Sequence, residues 1–174
     1  MLDALPRQAD PRQLAERGAR LTGAMALADM PRLGAMLLDR TGEVRVELEF
    51  GTDAHGVRFI AGRVETKLVL ECQRCLEPME LPLGLDFRLG VVGGQQEAER
   101  LPEGCEPLVV EDGAAGRRVS LAALVEDELL LALPIVPRHE DTASCTQYRA
   151  EDSPRTQEPR DNPFAALAKL KHSS

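Results

Sequence analysis

The chain of 174 residues contains no tryptophan, one tyrosine and four phenylalanines, so aromatic residues make up only 3% of it. Its core has to be aliphatic, built from leucine, valine and alanine. The same shortage leaves few rings on which nucleic-acid bases could stack. A basic excess is missing as well, since the net charge is −8. Residues 1–40 carry six basic and five acidic groups, 41–94 six and nine, 95–133 three and nine, and 134–174 six and six. An acidic middle is the reverse of the footprint that neutralises phosphates, which argues against autonomous, high-affinity binding to DNA or RNA. Arg7, Arg12, Arg17 and Arg20 leave local phosphate contacts open, beside the plainer reading of solvated helix charges. The apolar runs are far too short to span a membrane. The charged start "MLDALPRQADPRQLAERG" also lacks the continuous apolar stretch of a signal peptide. Four cysteines do not make a disulfide scaffold in a chain of this size. These absences predict a soluble cytoplasmic protein whose cysteines stay reduced unless a metal holds them.

What is present suits one domain with appendages: 43% apolar residues, twelve prolines and fourteen glycines. Asp10-Pro11 opens a helix, with Asp10 as cap, that runs to about Arg17 and ends at Gly18. Residues 19–40, interrupted by Gly23, Pro31 and Gly34, read as a second helical piece or an irregular packing segment. From Glu43 the period becomes two. Val44, Val46, Leu48 and Phe50 point one way, and Glu43, Arg45, Glu47 and Glu49 the other. After "GTDAHG", Ile60, Val64, Thr66, Leu68 and Leu70 share a face, and Met79 to Val91 repeat the alternation. Three strands with one apolar face each describe an antiparallel sheet solvated on its other side. Pro82 makes the third strand an edge at that point, and "PLVVE" reads as a short further strand. Ser120 caps a helix that Pro134 stops, with Leu121, Leu124, Val125, Leu129 and Ala132 buried and Glu126 and Asp127 outside.

The expected class is therefore α+β: a mainly antiparallel sheet with a packed helix, an N-terminal helical segment and a flexible C-terminal tail. The boundaries fall at 1–40 for the helical or irregular segment and 41–145 for the core domain. Residues 146–161, proline-bearing and polar, read as a linker, and 162–174 as a short helix. In that helix Asn162 caps, and Phe164, Leu167 and Leu170 form an apolar stripe suited to docking on a partner or packing back on the domain.

Chemistry concentrates in "VLECQRCLEP". Cys72 and Cys75 have the C-x₂-C spacing of a zinc knuckle at a strand-to-strand turn, and His139 and Cys145 supply a looser second pair. That set of four would hold Zn²⁺ or another thiophilic metal. Two alternatives stay open: unligated buried thiols, since Cys72 continues the inward phase of Leu68 and Leu70, and a redox disulfide. A redox pair is disfavoured because the motif follows a strand rather than opening a helix that would lower the thiol pKa. Cys105 lies in no knuckle. No GxSxG, HExxH, P-loop or GxGxxG pattern occurs, and the carboxylates of Glu126, Asp127 and Glu128 spread around a helix without converging. Catalytic residues are therefore not expected.

"LECQRCLEPMELPL", "LVEDELLLALPIVPRHE", Cys145 and "NPFAALAKLK", in that order across roughly residues 41–172, resemble the YceD family. Its members are called large ribosomal RNA subunit accumulation proteins. Cys105 departs from the family pattern, which needs no cysteine there. The resemblance implies a non-enzymatic role in synthesis, processing or stability of 23S rRNA, and so in large-subunit assembly. Joined to the acidic charge, it points to action through a ribosomal protein, an assembly factor or an rRNA-processing enzyme. The alternative is a zinc-knuckle protein that binds RNA directly through its N-terminal arginines.

Overall fold

The computed structural model describes residues 5–111, 118–141 and 145. Strand β1 (Gln8–Ala9) leads into helix α1 (Pro11–Glu16). Asp10 Oδ1 accepts from the backbone N–H groups of Arg12 (3.0 Å) and Gln13 (3.2 Å), and Pro11 stands where no N–H is needed. Gly18 turns the chain away at φ +57°, which it can adopt because it has no Cβ.

The next segment corrects the sequence reading. Residues 19–40 begin with a strand, β2 (Arg20–Ala26), before a 3₁₀ turn (Leu27–Asp29) and the short helix α2 (Pro31–Gly34). In "RLTGAMA" the alternation is faint because glycine, alanine and threonine fill four of the seven positions. Pairing with a neighbouring strand, a tertiary effect, supplies the order that propensity does not.

Strands β3 (Glu43–Thr52), β4 (Arg58–Glu71) and β5 (Pro78–Val92) form the expected antiparallel meander. Strand β2 joins the outside of β3, with Gly23 opposite Val46, so the division at residue 40 falls between two neighbours of one sheet. A one-turn helix, α3 (Gln95–Ala98), then carries the chain to β6 (Glu106–Val109), which lies parallel to the end of β5. The sheet order is β2-β3-β4-β5-β6. Strand β7 (Val119–Ser120) pairs with β1 and opens directly into helix α4 (Leu121–Ala132). The class is α+β, as the patterning implies.

Register explains the two faces. Val46 stands opposite Val64 and Val64 opposite Leu85, so aliphatic side chains line up across three strands on the inner face. That face packs against Leu121, Leu124, Val125 and Leu129 of α4 and against Leu27, Met30 and Leu33 of the connector. On the outer face the charges pair across strands: Arg20 with Glu49 (3.2 Å), Arg63 with Asp86 (2.9 Å) and Lys67 with Glu80 (2.6 Å). Two glycines are dictated by rings. A Cβ at Gly62 would lie 2.1 Å from Phe87 Cζ, and one at Gly51 would lie 2.8 Å from Phe59 Cζ. Each ring therefore covers the cross-strand glycine.

Strand β6 pairs only with Leu89–Val92, so β5 is an edge at Pro82, where a missing N–H costs no ladder bond. It is also why Leu89 and Val91 are buried while Leu81, Leu83, Leu85 and Phe87 stay half-exposed.

Helix α4 starts as expected, with Ser120 Oγ accepting from the N–H of Ala123 at 3.2 Å. Two of its residues differ from the sequence reading. Ala132 is exposed, and Glu126 is buried, with 3% of its surface accessible. The reason lies in α2, whose preceding residue Met30 has no side-chain oxygen with which to cap it. Glu126 caps it from across the core: Oε1 accepts from the N–H groups of Arg32 (2.6 Å) and Leu33 (3.0 Å). The Arg32 guanidinium holds Oε2 through Nε (3.0 Å) and Nη2 (2.9 Å) and also reaches the exposed Asp127. No periodicity within α4 could reveal a cap that serves another helix.

Among the described residues, no helix is long and apolar enough to cross a membrane. The segments read as linker (146–161) and short helix (162–174), with Phe164, Leu167 and Leu170, lie outside the described residues.

Candidate metal centre

The longest strands of the sheet, β4 and β5, are joined by the turn that carries the two-cysteine motif. Cys72 keeps the inward phase of Leu68 and Leu70 and is fully buried. Its N–H donates to the Glu77 carbonyl (2.9 Å), and the Leu76 N–H donates to the Cys72 carbonyl (2.8 Å), closing a tight knuckle. Closure forces Leu76 to φ +62°, a left-handed conformation unusual for leucine. Its side chain is exposed.

The second pair arrives because α4 is stopped. Leu133, preceding Pro134, is extended at φ −66°, ψ 139°, as a residue before proline must be. The chain then returns to the hairpin tip, where the Gln73 N–H donates to the Pro137 carbonyl at 2.8 Å. That backbone link, invisible in the sequence, fixes His139 beside the knuckle.

The ligand atoms of Cys72, Cys75, His139 and Cys145 all lie within 4.8 Å of one another. The sulfurs of Cys72 and Cys145 are 3.9 Å apart, and His139 Nδ1 is 3.6 Å from Cys75 Sγ and 3.5 Å from Cys145 Sγ. Tetrahedral zinc, with Zn–S about 2.3 Å and Zn–N about 2.0–2.1 Å, separates two sulfurs by about 3.8 Å and sulfur from nitrogen by about 3.6 Å. These three separations match those of a tetrahedral ligand shell, and the other pairs lie within 4.8 Å. Its chemistry fits equally, because three sulfurs and one imidazole nitrogen suit zinc and other thiophilic metals.

The electrostatics favour a thiolate at Cys72. Burial opposes ionisation there, but the backbone N–H groups of Cys75, His139 and Arg74 aim at the sulfur, and its pKa drops to about 5. Cys145 behaves oppositely. Burial raises its pKa, and Cys75 and Cys72 beside it raise it further. Three thiolates on a divalent ion leave one net negative charge. Arg74, between the first two ligands, supplies a cation in the same turn, and its Nη1 is buried without a hydrogen-bond partner among the described residues. All four cysteines are free, and Cys105, half-buried near Gly90, stands outside the cluster.

Residues 60–171 match the family model described as large ribosomal RNA subunit accumulation protein YceD. The chain is also 33% identical, over 171 residues and 96% of each protein, to the large ribosomal RNA subunit accumulation protein YceD of Haemophilus influenzae. The chain belongs to the YceD family. The family match begins within β4 and takes in the knuckle, α4, His139 and Cys145, and it extends through the tail to residue 171. No solved structure gives a significant match to the chain.

Proposed function

We propose that this chain promotes accumulation of the large-subunit ribosomal RNA, acting in synthesis, processing or stability of 23S rRNA as a cytoplasmic, non-catalytic adaptor. The observation that carries the reading is the 33% identity, over 96% of both chains, with the Haemophilus influenzae protein, whose name states large ribosomal RNA subunit accumulation. The surface supports an adaptor over an RNA binder. Three of the cations on the outer sheet face are already paired with carboxylates. Arg12, one of the N-terminal arginines, donates through Nη2 to the Val110 carbonyl at 2.8 Å. Among the described residues every aromatic ring is engaged: Phe50 is buried, Phe59 lies between Gly51 and the Arg88 guanidinium, and Phe87 covers Gly62. Among the described residues no phenylalanine ring is left as a stacking platform. The partner that suits an acidic surface is a basic protein: a ribosomal protein, an assembly factor or an rRNA-processing enzyme.

Within that role, Cys72, Cys75, His139 and Cys145 hold a zinc ion that is structural. Four protein ligands close the coordination shell and leave no open position for a substrate or an activated water. The ion ties the β4–β5 hairpin tip to the segment following α4.

The function is tested in cells lacking the protein, by measuring 23S rRNA relative to 16S rRNA with and without the restored gene. An unchanged ratio refutes it. Affinity for 23S fragments measured against salt separates the adaptor from a direct RNA binder, because a steep salt slope would overturn the adaptor. Elemental analysis of protein purified without chelator tests the site. We expect near-stoichiometric zinc in the native chain and in Cys105→Ser, and its loss in Cys145→Ser. Less than about a tenth of an equivalent in the native protein defeats it.

A further inference from the structure

Between β6 and α4 runs a groove of about 440 Å³ whose floor is apolar, from Leu89, Leu108 and Leu124, with Leu131 exposed at its margin. Its rim is acidic. Glu106 from β6 and Glu128 from α4 face it, and neither has a cation or hydrogen-bond donor as partner among the described residues. Burial and the neighbouring carboxylates of Glu106 and Asp127 push the Glu128 pKa up. An apolar floor under unneutralised acid asks for an occupant that is apolar on one side and basic on the other.

One segment of the chain has that composition. Residues 162–174, "NPFAALAKLKHSS", carry Lys169 and Lys171, no acidic residue, and three large apolar side chains three positions apart. The sixteen residues between Cys145 and Asn162 can extend roughly 50 Å, more than the diameter of a domain of this size, so the segment reaches any face. The family match continues through residue 171 and so includes the segment, which a bare solubility tag would not require.

We infer that the β6–α4 groove seats the chain's own segment 162–171, with Phe164, Leu167 and Leu170 on the apolar floor and Lys169 and Lys171 against Glu106 and Glu128. The pairing is intramolecular, and the tether sets a high effective concentration, so contacts of modest intrinsic strength suffice.

The test uses the full chain with its metal, compared with Phe164→Asp/Leu167→Asp and with Lys169→Glu/Lys171→Glu. In the native chain, methyl NMR signals of Leu108, Leu124 and Leu131 should differ from those in both variants, and amide hydrogen exchange in α4 should be slower by roughly threefold or more. Adding Glu128→Lys to the Lys169→Glu/Lys171→Glu variant should restore the native shifts, which a nonspecific effect of tail charge would not. A cooperative thermal transition retained in every variant shows that the domain still folds and that any shift is a docking effect. Identical groove signals in all variants overturn the inference, as do changes confined to another face. Differences that vanish on dilution would assign the groove to the tail of a second copy and equally overturn it.

Discussion

Replacing Glu126 by alanine removes the acceptor from two backbone N–H groups, those of Arg32 and Leu33. Leu33 is wholly buried, and α2 has no cap of its own to substitute. A buried donor left unsatisfied costs about 1–3 kcal/mol, and truncating a packed stem adds about 1 kcal/mol. With the Leu33 donor as the buried one, the expected loss is about 2–4 kcal/mol, a large share of the roughly 5–15 kcal/mol that holds a domain together. Glu126→Gln keeps one oxygen for the two N–H groups but turns an amide NH₂ toward the Arg32 guanidinium, so its loss should be smaller, about 1–2 kcal/mol. The two variants also differ in pH dependence. Burial works against the Glu126 carboxylate, but the Leu33 N–H and the Arg32 guanidinium outweigh it and hold its pKa below the ordinary value. A carboxylate whose folded pKa is lowered stabilises the protein above its unfolded pKa of about 4.3 and loses that contribution as pH falls through the folded value. The native chain's advantage over Glu126→Gln, complete near neutral pH, should therefore shrink on acidification below about pH 4. With no tryptophan in the chain, urea unfolding is best followed by far-ultraviolet circular dichroism, with metal supply held equal. A loss below about 1 kcal/mol for Glu126→Ala, or a Gln deficit unchanged in acid, would refute the capping argument.

Two further substitutions probe the hairpin. Leu76→Gly relieves the left-handed strain at φ +62° and should raise stability by about 1 kcal/mol, read from the urea midpoint; a lower midpoint would show that the exposed leucine contributes packing that outweighs the strain. Gly62→Ala sets a Cβ against Phe87 Cζ and should cost about 1–3 kcal/mol in thermal unfolding, with Phe87→Leu partly rescuing it; a cost under about 0.5 kcal/mol would mean that the ring swings aside freely.

Local order was legible wherever one residue's own side chain decides it. Asp10 and Ser120 cap the helices they precede, Pro134 ends α4, and the alternation from Glu43 onward sets three strands and their inner face, because period and capping act within a few residues. Strand β2 was not legible: its small residues show little alternation, and only the edge of β3 makes them a strand. Glu126 was misplaced for a related reason. A carboxylate in a helix reads as solvent-facing until the fold brings an uncapped helix end against it. The four residues of the cluster could be chosen by type and spacing, since few side chains offer soft ligand atoms. Their convergence depended on contacts far apart in sequence, above all the bond from the Gln73 N–H to the Pro137 carbonyl that returns the chain to the hairpin tip. The sequence alone determined which chemistry the chain carries. The tertiary structure decided which of those groups meet, because a distance between residues 72 and 145 is set by packing and by no local rule.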